Sequence, residues 1–155
     1  MSDDTVEFND KGLQQLLKAF SGNETPFIEV GILADKTARS GADSTNAEIG
    51  MKHEFGTSYL PERSFLRMPL KDHLAPRLEA AGITDPDVIK KVLKDGTLIP
   101  FMKQIAVVAQ DTVLEAFKTG GFGQWAPSDM TNKTVHQTLV ETTQLRDSIT
   151  AVVEK

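Results

Sequence analysis

Apolar positions along this chain switch between a period near 3.6 and a period of two, and the switches mark out its elements. Val6 to Phe8 suits a short strand within an acidic arm, residues 1–10, that carries Asp3, Asp4 and Glu7. Asn9 can cap a helix with Phe8 stapled onto Leu13; Leu13, Leu16, Leu17 and Phe20 continue it until Ser21-Gly22. From Pro26 to Leu33 the period becomes two, with Ile28, Val30 and Ile32 alternating against Glu29 and Gly31, which predicts a half-buried strand. Residues 35–45 (DKTARSGADST) hold no large apolar residue and read as a polar, mobile loop bearing Lys36 and Arg39. Asn46 can cap a short helix through Ile49, Met51 and His53 that Gly56 ends. Pro61 suits the first turn of a further helix through Phe65, Leu66 and Leu70, which Pro69 and Pro76 should break or kink. Asp85-Pro86 opens another helix, through Val88, Ile89, Val92 and Leu93, closing near Asp95-Gly96.

The strongest helical pattern runs from Leu98 to Lys118, with Leu98, Met102, Ile105, Ala109, Thr112, Val113 and Ala116 as its apolar stripe. Val107 and Leu114 lie on the opposite, polar side. They are either incidental surface apolars or a second seam covered by another subunit. Gly120 to Trp125 (GGFGQW) reads as a helix C-cap and turn; residues 129–143 are polar and weakly periodic; Ser148 to Val153 alternates like a terminal strand. Together these predict one α+β domain over residues 1–155: a small antiparallel sheet packed on one side by helices, one of them long.

Composition narrows the class. The chain has 155 residues, no cysteine and a net charge of −5. No thiolate can act as nucleophile or metal ligand, no apolar run is long enough to span a membrane, and the acidic start is unlike a signal peptide. These features predict a soluble protein made in the cytosol. The acidic balance argues against dedicated nucleic-acid binding, since Lys90, Lys91 and Lys94 sit among Asp85, Asp87 and Asp95 as on a solvated helix face.

Catalytic constellations are incomplete. His53-Glu54 begins like a zinc-protease helix, but Thr57 stands where the second histidine belongs, and His73 and His136 have no partners at ligand spacing. Gly121-Phe122-Gly123 follows its helix, whereas a phosphate loop precedes one; no calcium loop or serine elbow is present. The reading is that of a non-enzyme with no metal and no cofactor. The alternative from another class is a small ligand-binding or hydrolytic domain using His53, Glu54 and Arg63.

The segment Ala47 to Arg67, AEIGMKHEFGTSYLPERSFLR, carries the most information. It resembles a segment of tail-completion and neck proteins of tailed bacteriophages, in which a helix ends in Glu-Phe-Gly-Thr and a Pro-x-Arg-x-Phe group comes a few residues later. The matching residues are Glu54, Phe55, Gly56 and Thr57, then Pro61, Arg63, Phe65, Leu66 and Arg67. A long central helix, glycine-rich sequence with Trp125, and a Leu-x-x-Ser-Ile ending at Leu145 to Ile149 extend the resemblance. Where the family often has Thr-Gly before that leucine, this chain has Thr142-Thr143. The resemblance implies a structural virion protein at the neck or head-proximal end of the tail. Such a protein forms a ring, hexameric by expectation, that completes the tail tube and joins it to the head connector, with DNA passing at most through the lumen. A tail terminator and a connector-side adaptor both fit. Arg63 and Arg67, four apart on the expected helix, are either solvated cations or partners for a neighbour's carboxylates; Glu54, Phe55, Gly56, Thr57, Pro61, Arg63, Phe65, Arg67, Val107, Leu114 and Trp125 form the expected interface set.

Overall fold

Strands β1 (Phe27–Ile32) and β2 (Ile149–Glu154) pair antiparallel, with Ile28 opposite Val153, Val30 opposite Ala151 and Ile32 opposite Ile149. The coordinates are a computed structural model, in which the described residues are 26–41, 43–126 and 143–154. The expected acidic arm, the helix from Asn9 to Phe20, His136 and most of the polar stretch after Asp129 lie outside them. Between the strands run α1 (Asn46–Phe55), α2 (Arg67–Ala80), α3 (Pro86–Asp95), α4 (Leu98–Thr119) and the single turn α5 (Gln144–Asp147). The long helix α4 packs on the sheet and also on α2, giving an α+β fold.

The core forms where those packings meet. Phe65, Val113, Phe117, Leu145 and Ile149 are buried together, with Val30, Ile32, Ile49, Leu66, Leu70, Leu114 and Trp125 against them. Burial of each large apolar side chain stabilises the fold by roughly 1.5–3 kcal/mol. Helices α3 and α4 obey their sequence signals: Asp85 Oδ1 accepts from Asp87 N, Gly96 ends α3 in the left-handed region, and Gly120 does the same for α4. Among the described residues no helix is long and apolar enough to cross a membrane.

Four expectations about how the elements start, run and pack need correction. Thr45, not Asn46, caps α1: its hydroxyl accepts from Glu48 N while the Glu48 carboxylate accepts from Thr45 N. Asn46 is buried instead and fastens the loop before it, donating to Lys36 O and Ala38 O and accepting from Arg39 Nη1. Ser40 also exchanges hydrogen bonds with Gln144, so residues 35–45 have polar anchors in place of apolar ones.

The second correction concerns Pro61, which starts no helix. Residues 61–64 are irregular, and α2 begins only at Arg67. Third, Pro69 and Pro76 both lie within α2 without ending it. Pro69 occupies the third helical position, where an N–H would lack an intrahelical partner anyway. Asp72, whose carbonyl loses its bond at Pro76, is exposed, so water can replace that bond.

Fourth, the two members of the supposed second seam on α4 part company. Val107 is 58% exposed, as expected, but Leu114 is half-buried against the core. The C-terminal half of α4 is covered on two sides, by the sheet and by α2, so its buried arc is wider than one stripe.

Candidate functional site

The stretch from Glu54 to Arg67 folds around a buried carboxylate. Glu54, at the last turn of α1 and only 6% exposed, accepts from Ser64 Oγ at 2.7 Å, from Leu66 N at 2.9 Å and from Arg67 N at 3.0 Å. Ser64 Oγ in turn accepts from Met68 N at 2.9 Å. Every donor at the start of α2 is thereby accounted for. Arg67 N goes to Glu54 and Met68 N to Ser64, Pro69 has no N–H, and Leu70 N makes the first helical bond to Leu66 O. A negative carboxylate also suits the positive end of the helix. Glu54 is thus a cap delivered from another helix.

The two arginines do not share a helix face. Arg63 lies before α2, 3% exposed; its N donates to His53 O at 2.7 Å and its Nε to Ala126 O at 2.9 Å. It ties the end of α1 to the turn after α4. Arg67 is the exposed one, paired with Glu62 at 2.7 Å and with its guanidinium 5.2 Å above the Phe55 ring. Trp125 completes the knot: its indole N–H donates to Ser64 O at 3.2 Å, and its ring meets Phe117 edge-on, as Phe65 meets Phe117 at a tilt. The structure therefore gathers Glu54, Arg63, Phe65, Arg67 and Trp125 into one assembly; Leu114 packs on the same core from α4, while Val107 stays exposed. The sequence pattern assigns no role to Ser64 and the wrong one to Asn46. Asn46 could have been found, because Thr45-x-x-Glu48 spells a capping box one residue earlier.

Gly56 and Thr57 shape the turn beyond α1. Gly56 has φ +69° and ψ 175°, a combination open in practice only to glycine, and not the left-handed cap expected of it. A Cβ there would lie 2.9 Å from Glu62 N and 3.0 Å from Leu60 O. Gly41 also has positive φ (+72°), but its Cβ would meet nothing within 4 Å. Gly56→Val should therefore lower the melting temperature clearly more than Gly41→Val, by about 4 °C or more on a cost difference of about 2 kcal/mol. Equal melting temperatures would contradict this backbone geometry. Thr57 Oγ1 accepts from Tyr59 N and Leu60 N, and Thr57 N donates to Leu60 O, which closes a tight turn.

Beside the exposed Arg67–Glu62 pair, this segment also exposes large apolar and aromatic side chains. Met51 and Phe55, one turn apart on α1, are 63% and 62% exposed, and Tyr59 on the turn is 96% exposed. These three side chains leave large apolar and aromatic surface in water.

The hydrolytic alternative has less to work with. The Glu54 carboxylate is engaged by three donors, the Arg63 Nε by a backbone carbonyl, and His53 Nδ1 is buried with no partner among the described residues. Burial first, then the Arg63 and Arg39 guanidinium groups, push the His53 imidazole from 6.5 down to about 4. The fold thus prefers the neutral ring. Stability present in full above pH 6.5 is lost as pH falls toward about 4, where the folded protein takes up the proton. Between neutral pH and about pH 4, the native urea midpoint should fall further than that of His53→Gln; parallel curves would remove His53 from the acid response.

The departure at Thr143 has a structural counterpart. Thr143 has φ +57°, a left-handed conformation that glycine adopts without strain and β-branched residues seldom do. Its hydroxyl donates to Asp147 at 2.7 Å and, with Arg146, holds that carboxyl below its usual range. The Leu145-to-Ile149 group then places two core side chains around Ser148, whose hydroxyl donates to Leu145 O.

A second feature lies elsewhere on the molecule. A cleft of about 510 Å³ is lined by Arg77 of α2, by Gln110, Asp111, Leu114, Glu115 and Lys118 of α4, and by Arg146, Asp147 and Ile149. Among the described residues, no three histidine, aspartate or glutamate side chains are grouped as a metal site would need. Comparison of the chain with protein-family models, curated proteins and solved structures finds no match in any of the three.

Proposed function

We propose that the chain is a structural subunit of a tailed-phage virion, forming a ring at the neck or head-proximal end of the tail. One surface of the ring would complete the tail tube and the other would meet the head connector, in the role of terminator or connector-side adaptor. Six subunits are the expected count, and DNA would pass through the lumen without sequence-specific contact. The observation that carries this reading is the exposed strip Met51, Phe55 and Tyr59, held on a frame of buried polar bonds. A frame so fully bonded serves to fix a surface in place, and a fixed apolar surface serves association. The resemblance of that same segment to neck and tail-completion proteins supplies the setting, by analogy.

The test is localisation. Antibody or gold labelling of the chain in virions should mark the head–tail junction, and cryo-EM should show a ring of copies there. Label spread along the tail, on the head shell or absent from particles would reject the reading.

A further inference from the structure

Tyr59 is exposed and lies outside the cleft on α4. Tyr59 projects from a turn closed by three hydrogen bonds to Thr57, with Glu62 and Arg67 paired nearby. At 96% exposure its ring contacts almost nothing of its own chain, the cleft included. Arg77, ten residues beyond Arg67, stands about 15 Å farther along α2. The turn is rigid, the ring is large, and the loss of freedom on docking is small. These are the properties of an interface anchor.

The cleft offers what a phenol ring needs. Its apolar lining is the half-buried Leu114 and the edge of Ile149, a core residue only 3% exposed. Two of its polar groups, Arg77 Nε and the Asp111 carboxylate, have no hydrogen-bonding partner among the described residues, and Arg77 Nε is shielded from solvent as well. Arg77 also lines the cleft, and a guanidinium N–H that faces a cleft can donate to a phenol oxygen. The phenol O–H can donate to Asp111, and the ring can lie against a guanidinium. Around these, Lys118 pairs with Glu115 and Arg146 with Asp147, so the rim carries both charges, as does the Glu62–Arg67 pair beside Tyr59.

We propose that Tyr59 of one copy seats in the α4 cleft of the next, between Arg77 and Asp111 and over Leu114 and Ile149. The contact joins two different surfaces, so it is head-to-tail, and repeated with a closing rotation it makes a ring. The inference rests on the ring reading and names the contact that builds it.

Sedimentation velocity over a concentration series, on the full chain, tests it. The native chain should form rings. Tyr59→Ser and Asp111→Arg should each weaken association about 30-fold or more, as loss of an interface anchor does. Both positions are exposed, so melting temperatures should stay near native. Mixing the two variants is the decisive arm, because each supplies the half the other lacks: heterodimers should form, and nothing larger. Native rings alongside variants that still form rings, or a mixture that stays monomeric, would overturn the inference and leave the ring reading standing. A native chain that stays monomeric at the highest concentration would overturn both.

Discussion

Glu54→Ala should destabilise the protein by about 3–5 kcal/mol, the range for removing one partner from a buried charged network. Three donors lose their acceptor at once: Ser64 Oγ, Leu66 N and Arg67 N. Two of them are the opening N–H groups of α2, so the first turn of that helix frays as well. Ser64, freed from Glu54, no longer holds its oxygen toward Met68 N. For a chain of this length the loss corresponds to a fall in melting temperature of about 6–20 °C. Glu54→Gln should cost roughly half as much, because the amide retains one acceptor oxygen but turns a donor toward the others. By contrast Glu62→Ala, which removes a pair that is 55% exposed on both sides, should fall within about 1 kcal/mol of native. Urea unfolding of the three variants gives the ranking. Equal midpoints for Glu54→Ala and Glu62→Ala would mean that Glu54 does not brace the segment.

That contrast explains how much of this protein is legible in its sequence. The helices α3 and α4 and both strands are legible because their signals are local: Asp85-Pro86 before an apolar period, Gly96 and Gly120 after one, and strict alternation from Ile28 to Ile32. The segment from Pro61 to Arg67 is not. Proline is a start signal only when a helix comes directly after it, and here the first helical turn waits for an acceptor from Glu54, twelve and thirteen residues back. Periodicity reports which face is apolar and carries no sign of such a polar pairing. Leu114 misleads for a related reason, since periodicity tells how one face is covered but not that a second element covers the flank. The apolar strip is only half visible. Met51 and Phe55 look like core residues in sequence, and only the packing of Ile49 and Phe65 inward shows which face remains outside. Composition says nothing of the cleft, whose lining comes from three parts of the chain.

The turn after α4 offers the second large effect, and one that reads out by light. Gly121 is buried at φ +67°, and a Cβ added there would run into the indole of Trp125. That indole is no free flexible end: it donates to Ser64 O and meets the Phe117 ring edge-on at 5.6 Å. Gly121→Ala must therefore either distort a turn held by Gly121 N to Ala116 O and Trp125 N to Gly120 O, or expel the ring. Expulsion forfeits an aromatic contact of about 0.5–1.5 kcal/mol and a hydrogen bond of about 1 kcal/mol, beyond backbone strain of about 1–3 kcal/mol. The sum, about 2.5–5.5 kcal/mol, rivals the loss of Glu54, and Arg63 is put at risk too, because its carbonyl acceptor is on Ala126. Gly123→Ala is the control: φ is +80°, but its Cβ meets nothing within 4 Å, so only backbone strain is incurred. Trp125 is the only tryptophan, so its fluorescence reports this site alone. Gly121→Ala should shift emission to the red and lower the melting temperature on the order of 10 °C, while Gly123→Ala keeps the native spectrum. A native emission maximum in Gly121→Ala would mean that the indole does not pack on this turn, and the tie between the end of α4 and the Glu54 segment would have to be sought in Arg63 alone.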